Sequence, residues 1–136
     1  MSAQKSISNA SKCACGSTLK YIKCCGQYIK KGLKPPSAEA LMRSRYSAYV
    51  LNNEEYLLNT WHLSTRPSEL DLESDDIEWE SLEILATNAG TPLDNDGTVE
   101  FYKRHGKSHN KKQQIHEVSR FVKENKQWLY VDGLIR

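Results

Sequence analysis

Past Cys25 the 136-residue sequence contains no cysteine, and before Glu39 it contains no acid. No apolar run approaches the roughly 20 residues a membrane-spanning helix needs, which excludes an integral helical membrane protein. Met1 to Lys12 holds no apolar stretch, so no secretory signal is expected and the chain is expected in the cytoplasm. No phosphate-binding loop and no dinucleotide glycine fingerprint is present. No internal repeat is visible. Apolar residues make up 38% of the chain, enough for one modest core. Three Trp, seven Tyr and two Phe argue against a fully disordered chain.

What is present is divided unevenly. Residues 1–36 carry seven Lys and no acid, whereas residues 37–136 carry twelve Lys and Arg against seventeen acids. Two charge regimes suggest two functional units. Lys34-Pro35-Pro36-Ser37 reads as a linker between them. The expected units are therefore 1–34 and 37–136.

The second unit opens with helices. Ser37 predicts an N-cap for a helix from about Ala38 to Leu51, with Met42, Tyr46, Tyr49 and Val50 on its apolar stripe and Arg43 and Ser47 off it. Asn53 can cap a second helix, with Glu54 and Glu55 in its first turn. Leu57, Leu58 and Trp61 would form its apolar face, and His62 would lie near its C-terminus. Ser68 to Asp71 resembles a capping box for a short third helix. Strands follow: Trp79 to Thr87, with Leu82, Ile84 and Ala86 at period two, then Thr98 to Arg104, Ile115 to Lys123 and Trp128 to Asp132. Turns are expected at Asn95-Asp96-Gly97 and at Glu124 to Gln127. Helices followed by an antiparallel meander predict an α+β fold with helices on one sheet face. Two charged segments read most simply as solvated surface: Glu69 to Glu83, with eight acids, and Lys103 to Lys112, with five Lys and Arg.

The densest chemistry lies in Cys13-Ala14-Cys15-Gly16-Ser17-Thr18-Leu19-Lys20-Tyr21-Ile22-Lys23-Cys24-Cys25-Gly26. A tight turn at Cys13 and Cys15 can offer two sulfurs. A short helix, capped by Ser17, running through Lys23 and closed by a left-handed Gly26, would return Cys24 and Cys25 to that turn. Four soft ligands in a tetrahedron suit Zn²⁺, and iron is also compatible with such a set. Lys12, Lys20 and Lys23 would favour the thiolate form. A segment with so few apolar residues would depend on the metal for on the order of 10 kcal/mol of stability. Disulfides are the weaker reading, because they require an oxidising compartment and adjacent cysteines bridge only under strain. A C-x-C thiol relay stays open.

These residues also carry a resemblance. Cys13 to Gly26 resembles the SEC-C zinc motif, with Ala14 and Thr18 standing where that motif commonly has proline and glycine. Ala40 to Val50, Thr60-Trp61-His62, Ser64 to Pro67, Gly97 to Phe101, His116-Glu117, Ser119-Arg120-Phe121 and Tyr130 to Gly133 resemble the YchJ family of small bacterial proteins. The resemblance implies a nuclear-transport-factor-2-like α+β cone behind a zinc knuckle with Cys13, Cys15, Cys24 and Cys25 as ligands. It brings no activity with it.

Two functions are therefore weighed. In the first, the protein is a non-enzymatic interaction module whose knuckle presents Lys20, Lys23, Lys30 and Lys31 to an acidic partner, a protein in preference to nucleic acid, with no membrane. In the second, a polar pocket in the cone binds or transforms a small molecule. Strand alternation puts Ile115, Glu117, Ser119 and Phe121 on one face, so Glu117 would point inward and need a partner, which Arg43, Arg45 or His62 could supply. Tyr46 and Arg120 complete that candidate pocket set. Ser119 has no nucleophile-elbow sequence around it, and no catalytic residue is assigned.

Overall fold

The computed structural model describes residues 8–70, 72, 77–107 and 112–136. Among the described residues, a single 3₁₀ turn, Tyr21–Lys23, and three helices lie ahead of the sheet: α1 Gly26–Ile29, α2 Ala38–Val50 and α3 Glu54–Asn59. Four strands follow, β1 Ile77–Ala89, β2 Asp96–Lys107, β3 Gln113–Glu124 and β4 Gln127–Ile135. They form one antiparallel sheet in chain order, β1-β2-β3-β4. The α+β class and the meander agree with the sequence reading.

Both caps form as expected. Ser37 Oγ accepts from the Ala40 amide at 3.1 Å and Asn53 Oδ1 from the Tyr56 amide at 3.0 Å. Asn125 and Lys126, both at positive φ, make the two-residue turn between β3 and β4. The core lies between α2 and the inner sheet face, where Leu41, Tyr46, Val99, Phe101, Phe121 and Trp128 are buried. Burying such aromatic rings supplies most of the favourable energy of a sheet-on-helix pair.

Several expectations are corrected. The apolar stripe on α2 is not one-sided: Ser44, Arg45 and Ser47 are buried along with Met42 and Tyr46. The helix is covered by the sheet on one side and by the cysteine segment on another, so a single stripe underestimates its buried surface. The second helix stops at Asn59, leaving Trp61 in a parallel bridge with Tyr130 and His62 beyond the helix. No helix begins at Ser68 among the described residues, and Asp71 lies outside them. The first hairpin turn falls earlier than Asn95-Asp96-Gly97, because Asp96 and Gly97 already belong to β2, Gly97 pairing with Ala89 and Asp96 with Val122. In β1 a register shift between Ile84 and Ala86 breaks the period-two pattern and leaves Ala86 exposed. Of the basic segment Lys103 to Lys112, residues 108–111 lie outside the described residues.

The stretch read as a linker is seated on the fold. Pro35 is buried, and Trp128 Nε1 donates to the Pro36 carbonyl at 3.3 Å. Cys13, Cys15, Tyr21 and Cys25 belong to the same buried cluster as Leu41, Tyr46 and Phe101. No helix among the described residues is long and apolar enough to cross a membrane.

Candidate metal centre

Two short pieces of chain deliver the cysteines. Residues 12–20 form a narrow loop: Lys12 bridges Lys20, and the Cys13 amide donates to the Leu19 carbonyl at 2.8 Å. Thr18 turns that loop in the left-handed region, φ 71°. The 3₁₀ turn then leads into Cys24 and Cys25, the latter being the N-cap residue of α1. Gly26 therefore does not close a helix in a left-handed cap, and Ser17 does not cap one. Gly26 opens α1, and a Cβ there would lie 2.7 Å from the Tyr21 carbonyl oxygen, so only glycine allows that approach.

The result is one cluster. The sulfurs of Cys13, Cys15, Cys24 and Cys25 all lie within 4.8 Å of one another, and it is the only such group of metal-binding side chains found among the described residues. Cys15 and Cys24 Sγ are 3.6 Å apart. Four sulfurs about 2.3 Å from a tetrahedral Zn²⁺ would be separated by about 3.8 Å, so the donor set has the right chemistry and spacing for a thiolate-bound metal. No disulfide is formed; all four cysteines are free. Cys13, Cys15 and Cys25 are buried, and Cys24 is half-buried. Cys24 opens onto a groove of 410 Å³ that also touches Lys23, Tyr28, Glu39 and Arg43.

The thiols do not ionise alike. Hydrogen bonds from Cys15 and then Cys25 hold Cys13 far below the usual thiol range. Burial pushes Cys24 up to about 11, against a hydrogen bond with Ser17 that favours its thiolate. Donation to Cys13 and Cys15, with burial added, raises Cys25 as well. A cluster carrying four negative sulfurs thus needs a cation at its centre, the demand a thiolate-bound dication meets.

Residues beyond the cysteines complete the surroundings. Ser17 Oγ lies 3.0 Å from Cys24 Sγ, and Ser47 Oγ lies 3.5 Å from Cys13 Sγ. Arg43 Nη1 donates to the Cys15 carbonyl at 2.8 Å and lies 3.8 Å from Cys15 Sγ. The sequence placed both Arg43 and Ser47 off the apolar stripe of α2; nothing in their spacing pointed to the cysteines.

The candidate pocket set does not gather. Arg43 faces the cysteines and pairs with Glu39. Arg45 is buried but donates to the Leu57 carbonyl at 2.7 Å and to Thr60 Oγ1 at 2.8 Å, with its guanidinium over both Trp61 and Tyr130, whose rings meet edge to face. Tyr46 packs edge-on against Trp79 within the core. His62 Nε2 meets Glu124 Oε2 at 2.9 Å, across the loop that follows α3. Arg120 is exposed and forms a two-pronged pair with Asp132 on the outer sheet face. Glu117 points inward with Ser119 and Phe121, as alternation predicted. Its partners are Ser119 Oγ, donating at 3.1 Å, and Lys103 Nζ at 3.6 Å, none of the three cations expected. A Cβ on Gly133 would fall 2.3 Å from Glu117 Oε2, so that glycine makes the room the carboxylate occupies. The four candidate docking lysines, Lys20, Lys23, Lys30 and Lys31, are all exposed on the cysteine segment.

Residues 37–133 match the model of the YchJ middle NTF2-like domain. Across nearly the whole chain the sequence is 45% identical, over 135 residues, to a UPF0225 protein of Bordetella pertussis, covering 98% of this chain and 99% of that one. This chain belongs to the YchJ family. A second member of that family, a UPF0225 protein of Chromobacterium violaceum, is 47% identical over 126 residues, covering 90% of this chain and 92% of its own. Among solved structures, that of a SEC-C motif containing protein from Rhodopseudomonas palustris superposes with a TM-score of 0.80 at 31% identity, covering 91% of this chain and 98% of that one. A SEC-C motif containing protein from Psychrobacter arcticus gives 0.71 at 27% identity, with 94% and 84% covered. The YchJ fold reached from the sequence is thus the fold observed, an NTF2-like domain behind a SEC-C cysteine cluster.

Proposed function

We propose that this YchJ-family protein holds one zinc ion at Cys13, Cys15, Cys24 and Cys25 and acts as a non-enzymatic interaction module in the bacterial cytoplasm. The observation that carries the metal is the convergence of four sulfurs within 4.8 Å. A saturated four-thiolate site leaves no open position for a substrate, so its role is structural. Four free thiols in contact suit a reducing compartment.

The interaction reading rests on charge. Lys12, Lys20, Lys23, Lys30, Lys31 and Lys34 are all exposed, and residues 1–36 contain no acid to pair with them. Four thiolates around a dication carry a net charge of minus two, so the loaded segment stays basic. Such a surface attracts an acidic partner and speeds its approach. The proposed units are the knuckle, 1–34, which binds the partner, and the cone, 37–136, which carries it.

Native mass spectrometry of freshly purified, reduced protein tests the metal: one zinc per chain is expected, absent when Cys24 and Cys25 are replaced by Ser. Titration with polyglutamate and with a single-stranded RNA tests the surface. Binding of polyglutamate that weakens with salt and disappears in the Lys20→Glu, Lys23→Glu variant, with zinc retained, supports docking of an acidic protein. Preference for RNA, or binding unchanged by the substitutions, rejects it.

A further inference from the structure

Resting on the metal reading above, we propose that Arg43 and Ser47 of α2 are positioning residues of the metal centre, and that through them metal occupancy is coupled to the cone.

The two residues lie one helical turn apart, so both point the same way from α2. That way is toward the cysteines. Arg43 is fixed at both ends: Glu39, one turn earlier, accepts from its Nε at 3.0 Å, and its Nη1 donates to the Cys15 carbonyl at 2.8 Å. The same Nη1 lies 3.8 Å from Cys15 Sγ. Ser47 is fully buried and lies 3.5 Å from Cys13 Sγ. Two of the four sulfurs therefore have a hydrogen-bonding side chain beside them from a helix some thirty residues away in sequence, and toward a thiolate both side chains can only donate. The other outer donor, Ser17 on Cys24, comes from the knuckle itself.

A four-thiolate dication centre carries net negative charge, and three of its sulfurs are buried. Burying that charge is costly without a nearby cation. Arg43 is the one cation within hydrogen-bond reach of a sulfur among the described residues, whereas the lysines of the knuckle are exposed to solvent. Donors to the ligand sulfurs also fix their orientation, as outer partners of metal ligands generally do.

Coupling follows by reciprocity. If Arg43 and Ser47 strengthen metal binding by some factor, bound metal strengthens their hold on the knuckle by the same factor. Leu41 and Tyr46, neighbours on α2, pack into the core shared with the sheet. Metal loss therefore loosens the middle of α2, Leu41 to Ser47, as well as the loops that carry the cysteines.

Chelator competition for zinc by the full chain separates the possibilities. The expected result is affinity weaker by about 10- to 100-fold in Arg43→Met, a smaller loss in Ser47→Ala, and partial recovery in Arg43→Lys, which keeps the charge but not the two-point donation. The rise in thermal midpoint on adding zinc shrinks in Arg43→Met. With cobalt as probe, the thiolate-to-metal absorption band shifts in Arg43→Met. Equal affinity and an unmoved band, with stability lowered alike in loaded and metal-free protein, would show Arg43 to be packing only and overturn the proposal. Hydrogen exchange gives a second readout: amides from Leu41 to Ser47 gain protection with zinc, and a gain confined to residues before 35 overturns the coupling. Absence of zinc from the unsubstituted chain would instead sink the metal reading itself.

Discussion

The cysteine segment and the cone solve the same folding problem by different means. In the cone, aromatic and aliphatic side chains from α2 and all four strands bury one another, and the gain is spread over the whole inner sheet face. In the knuckle the buried side chains are chiefly Cys13, Cys15, Tyr21 and Cys25, too few to hold its loops. Its organisation is concentrated at one point, where four sulfurs meet. Dispersed burial tolerates the loss of one contact; a four-ligand site does not. The contrast teaches where each region is fragile.

The largest effect is expected at the metal. Replacing Cys24 and Cys25 by Ser, or stripping the ion, removes on the order of 10 kcal/mol of binding free energy, and the knuckle should lose its ordered loops while the sheet survives. Amide spectra of the loaded and stripped chain would show this; a knuckle that stays ordered without metal would erase the contrast. The pH dependence has a definite sign. In the folded arrangement of the knuckle, burial holds the proton on Cys24 and pushes it up from the usual 9.0 of a thiol to about 11. Metal uptake must expel that proton, so zinc affinity rises with pH and falls on acidification, measurable as proton release in weakly buffered solution.

Next comes the cone. Trp128 is almost fully buried and donates to the Pro36 carbonyl. Trp128→Ala should cost about 3–5 kcal/mol in denaturant unfolding, with zinc still bound by the knuckle of the folded fraction. A smaller cost arises at Glu117. Glu117→Gln leaves Lys103 half-buried without its carboxylate and should destabilise by about 1–3 kcal/mol. Adding Lys103→Met should recover part of that loss, and failure to recover would show that the pair is not the reason for the cost. The smallest change is a gain. Thr18 occupies the left-handed region at φ 71°, which disfavours a β-branched residue. Thr18→Gly should stabilise the loaded protein by about 1 kcal/mol, read as a higher midpoint in the presence of zinc.

Legibility followed locality. Ser37 and Asn53 announced their helices because a cap is satisfied within three residues. The inward direction of Glu117 followed from alternation along its own strand. Its partner did not, because register decides it: Phe101 pairs with Glu117 and Lys103 with Ile115, which brings Lys103 alongside the carboxylate from the neighbouring strand. Ala86 was misjudged because one inserted residue reverses every later side chain, and nothing in the sequence marks the insertion. Arg43, Arg45, His62 and Arg120 were grouped by charge alone, and the fold sends them to four different places.

By itself the sequence determined the donor set and its proximity, since Cys13, Cys15, Cys24 and Cys25 lie within thirteen residues and short turns suffice to join them. It also determined the order of α2, α3 and the four strands, through caps, alternation and turn residues. Tertiary structure alone decided which face of α2 the cysteines would meet, and so that Arg43 and Ser47 reach sulfur rather than the cone. That choice depends on the docking of two separately organised surfaces, and the residues that settle it are contacts between segments far apart in the chain, which no local pattern records.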